Sequence, residues 1–366
     1  MTAGPRTDAG PAAEPALEAR NLGVTFPARR GGGAARAVDG VNLTLGAGEI
    51  VALIGESGCG KSTLARALIG LVRPSRGEVR HSGAVLRYGG AALKAYRRHV
   101  QLVLQDPAAA LNPRQNVFDA VAEGPRLHGL RSDLNHRVYA ALTRAGLRPP
   151  EQFVGRYPHE LSGGQQQRVV IAGALALEPD VIVADEPVSS LDASVRGEIL
   201  RLILDLREDL GLSALVVSHD LGLAWNIADR VAVMYLGRIV EVGTVEEVLQ
   251  HPRHPYTRAL ISVLPDRRSG SAKPTLLTGE PPDPTRIPSG CRFHPRCPRR
   301  TALEAAGAGR AEVCTSTDVD ILPALSAGET LVACHFAGDV AEATAEAAVE
   351  ADIEADAGDT VQRARS

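Results

Sequence analysis

The stretch Gly55-Glu56-Ser57-Gly58-Cys59-Gly60-Lys61-Ser62 decides the fold. It matches the phosphate-binding pattern G-x-x-x-x-G-K-[ST], in which glycines let the backbone curl until successive N–H groups face a phosphate. The N-terminus of the following helix adds a favourable dipole, Lys61 reaches the β and γ phosphates, and Ser62 ligates magnesium. At average residue frequencies the four fixed positions arise by chance in a chain this long with a probability on the order of 1%, so an accidental glycine turn is set aside. The flanks agree with this reading. Ile50 to Ile54 is a short all-apolar run, as in a buried strand, and Lys61 to Leu71 has helical spacing.

Working outward, Leu17 to Phe26 and Val38 to Leu45 alternate in polarity around a Gly-rich turn at Gly31 to Gly33, which predicts paired antiparallel strands. Val100 to Leu104, Val181 to Ala184 and Leu215 to Val217 are further short apolar runs with helical patterns between them. They predict an α/β core sheet of mainly parallel strands wrapped by helices. Between 115 and 178 strand signals are few, while Val117 to Glu123, Asp133 to Ala145 and Gly163 to Ala176 have helical spacing, so a helical insertion of about 106–178 is expected. No internal repeat is present. After Leu264, Pro and Gly become frequent and four of the five cysteines fall between 291 and 334, which marks a small unit over 266–338. Residues 1–16 read as a disordered tail, and the acidic, Ala-rich 339–366 as a solvated tail or a frayed helix.

Composition excludes several classes. The 366 residues suffice for a large domain with a small one, and an apolar fraction of 44% is ordinary for a chain with a buried core. A formal charge of -3 with 3% aromatics gives no basic, aromatic-laced face for nucleic acid. The opening residues hold no apolar signal segment, and no run approaches the roughly 18 apolar residues of a membrane span. A soluble cytoplasmic chain is therefore expected, with its cysteines reduced or ligating metal.

Val181-Ile182-Val183-Ala184-Asp185-Glu186 is an apolar strand ending in two carboxylates, which phosphoryl transfer uses. Asp185 is placed to hold magnesium, and Glu186 to orient or deprotonate the attacking water. His219 follows the run Leu215 to Val217, and Gln105 follows Val100 to Leu104. Each is a polar strand end by default, or a ligand of magnesium, water or phosphate where strand ends form a site.

Leu161-Ser162-Gly163-Gly164-Gln165 lies between the glycine loop and the carboxylate strand. With it the chain resembles the ATP-binding cassette family over roughly residues 17–265. The resemblance implies a P-loop nucleotide-binding domain with a parallel core sheet, an antiparallel β subdomain and a helical subdomain. It further implies MgATP held by Gly55 to Thr63, with Ser62, Gln105 and Asp185 around the ion. Phe26 would stack on adenine, Gln105 would be the Q-loop, Ser189-Ser190-Leu191-Asp192 the D-loop, and His219 the switch histidine. Ser162, Gly163, Gly164 and Gln165 would cap ATP bound to an opposing subunit, because a helix N-terminus without bulky side chains is a second anion site.

His254-Pro255-Tyr256-Thr257, the stretch Asp185 to Asp192, and Gln105-Asp106-Pro107 through Leu111-Asn112-Pro113 resemble the second ATPase subunit of dipeptide and oligopeptide importers. That resemblance implies a heterodimer with a related ATPase, two permeases and an extracytoplasmic binding protein, at the cytoplasmic face of the membrane. Relatives carrying nickel or another small solute, and a soluble non-transport cassette, are the alternatives. Cys291, Cys297, Cys314 and Cys334 have the spacing C-x5-C-x16-C-x19-C. Such thiols in a small Pro-rich unit fit a [4Fe-4S] cluster or zinc, with buried reduced cysteines as the plain alternative. Some peptide-importer ATPases that the chain resembles carry a cluster at matching cysteines.

Overall fold

The computed structural model describes residues 14–27, 33–189, 191–263, 277, 283–307, 309–323 and 330–337. The expected N-terminal tail apart from 14–16, most of the Gly31 to Gly33 turn, Ser190 and the acidic tail lie outside the described residues.

The N-terminal part forms β1 (Leu17–Phe26), β2 (Ala35–Leu45), β3 (Ile50–Ile54), α1 (Lys61–Leu68), β4 (Arg76–His81), β5 (Ala84–Val85), α2 (Gly90–His99) and β6 (Val100–Val103). The helical insertion follows as α3 (Pro107–Ala110), α4 (Val117–Leu127), α5 (Leu134–Arg144) and α6 (Gly163–Leu175). The chain then returns through β7 (Val181–Asp185), α7 (Ala193–Leu210), β8 (Ser213–Ser218), α8 (Leu221–Ile227), β9 (Arg230–Tyr235), β10 (Arg238–Thr244), α9 (Val245–Gln250) and α10 (Pro255–Ser262). Beyond Leu264 the described elements are α11 (Pro298–Ala305), α12 (Val313–Ser316) and β11 (Leu331–Val332).

These strands make two sheets, one in the order β2-β1-β4-β5 and one in the order β11-β10-β9-β3-β8-β7-β6. In the larger sheet β3 pairs in parallel with β8 and β9, and β7 with β6 and β8. Every residue of β3, β7 and β8 is buried, as expected for strands covered on both faces. In the smaller sheet β1 pairs antiparallel with β2, the predicted hairpin, and with β4. Strands β4, β9 and β10 go beyond the expected set. Only Val79 of β4 is buried, so the strand carries no apolar alternation and exists because β1 offers it an edge.

Helices α4, α5 and α6 pack around Val121, Ala122, Val138, Leu142 and Ala172, all fully buried. Their starts are chemically marked: the Asn116 side chain accepts from the Asp119 amide at 2.8 Å, and Ser162 with Gln165 forms a capping box.

The segment after Leu264 is stitched into the main domain. Strand β11 pairs antiparallel with β10 and so extends the large sheet. The Phe293 ring lies 5.2 Å from the Tyr235 ring and 5.4 Å from that of Tyr256, with 1% of its surface exposed. Burying a ring of this size contributes roughly 1.5–3 kcal/mol. Next to it Arg292 donates to the Leu236 carbonyl at 2.6 Å and pairs with the buried Asp39 carboxylate, whose pKa is lowered. For Asp39 the burial penalty is more than offset by Arg292, Arg238 and Arg76 together.

Candidate active site

Strand β3 ends at Ile54, the glycine loop follows, and α1 begins at Lys61. Two of the loop glycines are dictated by space as well as by φ. Gly55 has φ 152° and Gly60 φ 112°, and a Cβ on either would sit 2.2 Å from the Met234 carbonyl oxygen or 2.1 Å from that of Ala37. The curl buries Lys61, whose ammonium donates to the carbonyls of Gly55 at 2.7 Å and Glu56 at 2.9 Å. Cys59 is buried beside it, with Sγ 3.9 Å from the Lys61 Nζ, and burial pushes its thiol pKa up. An open cleft in front of the loop is lined by Ser57, Lys61, Ser62 and Glu186, together with Arg36 and Pro284.

The parallel register brings Ile54 opposite Ser218 and Asp185 opposite Val217, so β3, β7 and β8 end at one sheet edge. Asp185 accepts from the Ser62 hydroxyl at 3.1 Å. Burial raises the Asp185 carboxyl above its ordinary pKa, partly countered by the Ser62 hydrogen bond. Two hard oxygens on a partly buried carboxylate and a hydroxyl are a donor set that suits Mg²⁺.

Glu186 stands immediately beyond β7 with φ 49°, a left-handed conformation that a non-glycine residue adopts only under constraint. Its amide is fixed by the Val217 carbonyl at 2.9 Å. Its carboxylate receives the Gln105 side-chain amide on Oε2 at 3.2 Å and lies 3.2 Å from the His219 Nδ1 through Oε1. The two residues that the sequence left ambiguous therefore meet on one carboxylate.

Other expected residues sit elsewhere. Phe26, at the end of β1, is 44% exposed and does not line the cleft, and neither do Ser162, Gly163, Gly164, Gln165 or Asp192. Ser162 caps α6, its hydroxyl accepting from the Gln165 backbone amide at 3.3 Å while the Gln165 side-chain oxygen Oε1 accepts from the Ser162 backbone amide at 3.0 Å. The capping box thus uses the Ser162 amide. Gly164 is required by packing, since a Cβ there would come within 2.6 Å of Val195. Asp192 precedes α7 without a side-chain cap. Sequence reasoning missed Arg36, Pro284, Tyr256 and Arg296, the last two because they reach the loop from far along the chain.

The family described as ABC transporter matches residues 38–189, and the one described as oligopeptide/dipeptide transporter, C-terminal region, matches residues 240–302. The chain is 44% identical over 296 residues to the dipeptide transport ATP-binding protein DppF of Haemophilus influenzae, spanning 78% of this chain and 90% of that one. It belongs to the ATP-binding cassette transporter family. With the oligopeptide transport ATP-binding protein OppF of Salmonella typhimurium, this cassette shares 46% identity over 270 residues, 72% of this chain and 80% of the relative. Among solved structures the cassette is similar to cbiO1 from Clostridium perfringens, with TM-score 0.59, 30% identity and coverage of 65% and 92% of the two chains. A dimeric ATP-binding cassette solved after hydrolysis with ADP and phosphate gives TM-score 0.57 at 29% identity, over 63% of this chain and 98% of that one. The protein is accordingly a P-loop ATPase, the ATP-binding subunit type of its family. No helix among the described residues is long and apolar enough to cross a membrane.

The cassette also gathers its four remaining cysteines. Cys291, Cys297, Cys314 and Cys334 line one small cavity with His294 and His335. Burial pushes the Cys291 thiol up to about 12 and the Cys297 thiol up to about 11, and the neighbouring thiols add to both shifts. The two histidines are already engaged, His294 with the Cys291 carbonyl and His335 with the Thr317 carbonyl, each at 2.9 Å. Among the described residues no group of three or more His, Cys, Asp or Glu side chains is arranged to hold a metal ion. The thiols are neighbours, then, but not in ligating geometry.

Proposed function

We propose that this cassette drives uptake of dipeptides or oligopeptides as the ATP-hydrolysing subunit of an importer at the cytoplasmic face of the membrane. The observation that carries the reading is the match over residues 240–302 to the oligopeptide/dipeptide transporter C-terminal region, beside relatives named for dipeptide and oligopeptide transport. Its partners in this reading are a second cassette ATPase, two permeases and an extracytoplasmic binding protein.

At the site, Lys61 neutralises the β and γ phosphates and the loop amides of Ser57 to Ser62 cradle them. Ser62, Asp185 and Gln105 would hold a magnesium ion, which would supply positive charge against that developing on the transferred phosphoryl group. Glu186 orients and deprotonates the attacking water; its carboxylate, already held by Gln105 and beside His219, is aimed rather than free to rotate. His219 then faces the γ-phosphate. Phe26, exposed at the end of β1 and outside the lining of the cleft, would supply a face for adenine only where the base extends beyond that lining. Ser162, Gly163, Gly164, Gln165 and Asp192 lie outside the cleft, which supports their acting on ATP held by the partner ATPase. Head-to-tail closure would bring each signature helix N-terminus onto the other subunit's nucleotide.

Purification of a tagged copy from native membranes in mild detergent tests the proposal. Two permeases and a second cassette ATPase should co-purify, and the peptide-loaded binding protein should raise the ATPase rate of the assembly. Recovery of the chain alone, or stimulation only by a nickel-loaded binding protein, would refute peptide import.

For Cys291, Cys297, Cys314 and Cys334 the shared cavity supports a [4Fe-4S] cluster, with zinc as the other metal these thiols suit. Ligation requires the thiols to ionise and draw closer than they stand here. Anaerobic purification should yield about one cluster or one zinc per chain, and serine at Cys297 should lower that content; metal-free protein would leave four reduced cysteines.

A further inference from the structure

The peptide between Gly55 and Glu56 is a hub. Its own carbonyl, that of Gly55, at 2.7 Å and the next one, that of Glu56, at 2.9 Å accept from the ammonium of Lys61, so the position of this backbone sets the position of the charge that meets phosphate. The same residue is held from outside the ATPase motifs. The Glu56 amide donates to the Tyr256 hydroxyl at 2.8 Å, from α10. The Glu56 carboxylate receives a fork from Arg296, Nη1 to Oε2 at 2.7 Å and Nη2 to Oε1 at 3.0 Å. Arg296 lies next to Cys297, its side chain is 5% exposed, and pairing with Glu56 raises its pKa.

We propose that Arg296 and Tyr256 are positioning residues for the phosphate-binding loop and set ATP affinity through Glu56. The inference rests on the assignment of this loop to ATP. A carboxylate in a loop that must accept a polyanion repels it, and a bidentate guanidinium cancels that charge while fixing the orientation of the side chain. Tyr256 removes one loop amide from the set that could turn toward phosphate and anchors it to the core, where its ring packs 4.6 Å from that of Tyr235. The segment that carries the cysteines thereby acts on the nucleotide site from 240 positions away.

The test is ATP binding to the purified full-length chain, by calorimetry with magnesium, together with KM and kcat. Arg296→Ala should raise the Kd about tenfold, which is about 1.4 kcal/mol, and raise KM more than it lowers kcat. Adding Glu56→Gln to Arg296→Ala should restore most of the affinity, because the unpaired charge is gone. Tyr256→Phe, which deletes one oxygen, should raise the Kd roughly threefold, the scale of one neutral hydrogen bond. A wild-type Kd in Arg296→Ala, or a double variant as weak as the single one, would overturn the inference. Should Arg296→Ala not fold, an unchanged Kd in Tyr256→Phe overturns it instead. Lys61→Ala separates the two readings: loss of binding there with none at Arg296 and Tyr256 sinks only the positioning role, whereas no loss at Lys61 sinks the ATP site itself.

Discussion

Replacing Glu186 with glutamine is expected to lower kcat for ATP hydrolysis by roughly 10³-fold, within the range that a positioned general base contributes. The substitution keeps the shape of the side chain and its contact distance to Gln105, but it removes the charge that draws a proton from water. ATP affinity should hold or rise, since one negative charge leaves the neighbourhood of the phosphates. Single-turnover hydrolysis and equilibrium binding measured on the same preparation separate the two effects. Near wild-type turnover would remove Glu186 from the role of base. The strained φ of 49° at Glu186 survives in the variant because the backbone hydrogen bond to Val217 is untouched, so a folding defect is not the expected outcome.

Lys61→Ala should carry the largest effect on binding. The ammonium is buried, with 5% of the residue exposed, and its present partners are carbonyl oxygens that a phosphate can displace. A hydrogen bond from a charged donor contributes about 1.5–3 kcal/mol, and this one group serves two phosphates, so a loss of about 10²-fold or more in affinity is expected. Calorimetric titration in the Glu186→Gln background avoids turnover during the measurement. An unchanged dissociation constant would refute the phosphate contact.

Much of the chemistry was legible residue by residue. The glycine loop announces itself because curling a backbone around phosphate needs Gly55 and Gly60 where no Cβ fits. β3 appears with its expected bounds because a strand buried on both faces reads as a near-continuous apolar run, while β7 and β8 run slightly past theirs through the buried polar Asp185, Ser213 and Ser218. Helices α4, α5 and α6 of the insertion start within a residue of their expected positions, where Asn116 and Ser162 cap two of the starts, whereas α3 was not expected. Strand β4 left no such trace, since its stability comes from pairing with β1 rather than from its own side chains. Gln105 and His219 were legible as residues after strands but not as partners.

The sequence by itself determined the local devices: a phosphate loop between strand and helix, two carboxylates at a strand end, a capped signature helix and a late cluster of cysteines. Each is encoded within a few neighbouring residues, where backbone geometry and spacing suffice. Which of them act together follows from the three-dimensional packing of the chain. The parallel register of β3, β7 and β8 sets Ser62 against Asp185 and brings His219 to Glu186, while β6, beside β7, delivers Gln105. Packing of Phe293 against both Tyr235 and Tyr256 carries Arg296 to Glu56. Those contacts join residues tens to hundreds of positions apart, and no local pattern records them because the free energy that selects them belongs to burial of the whole core.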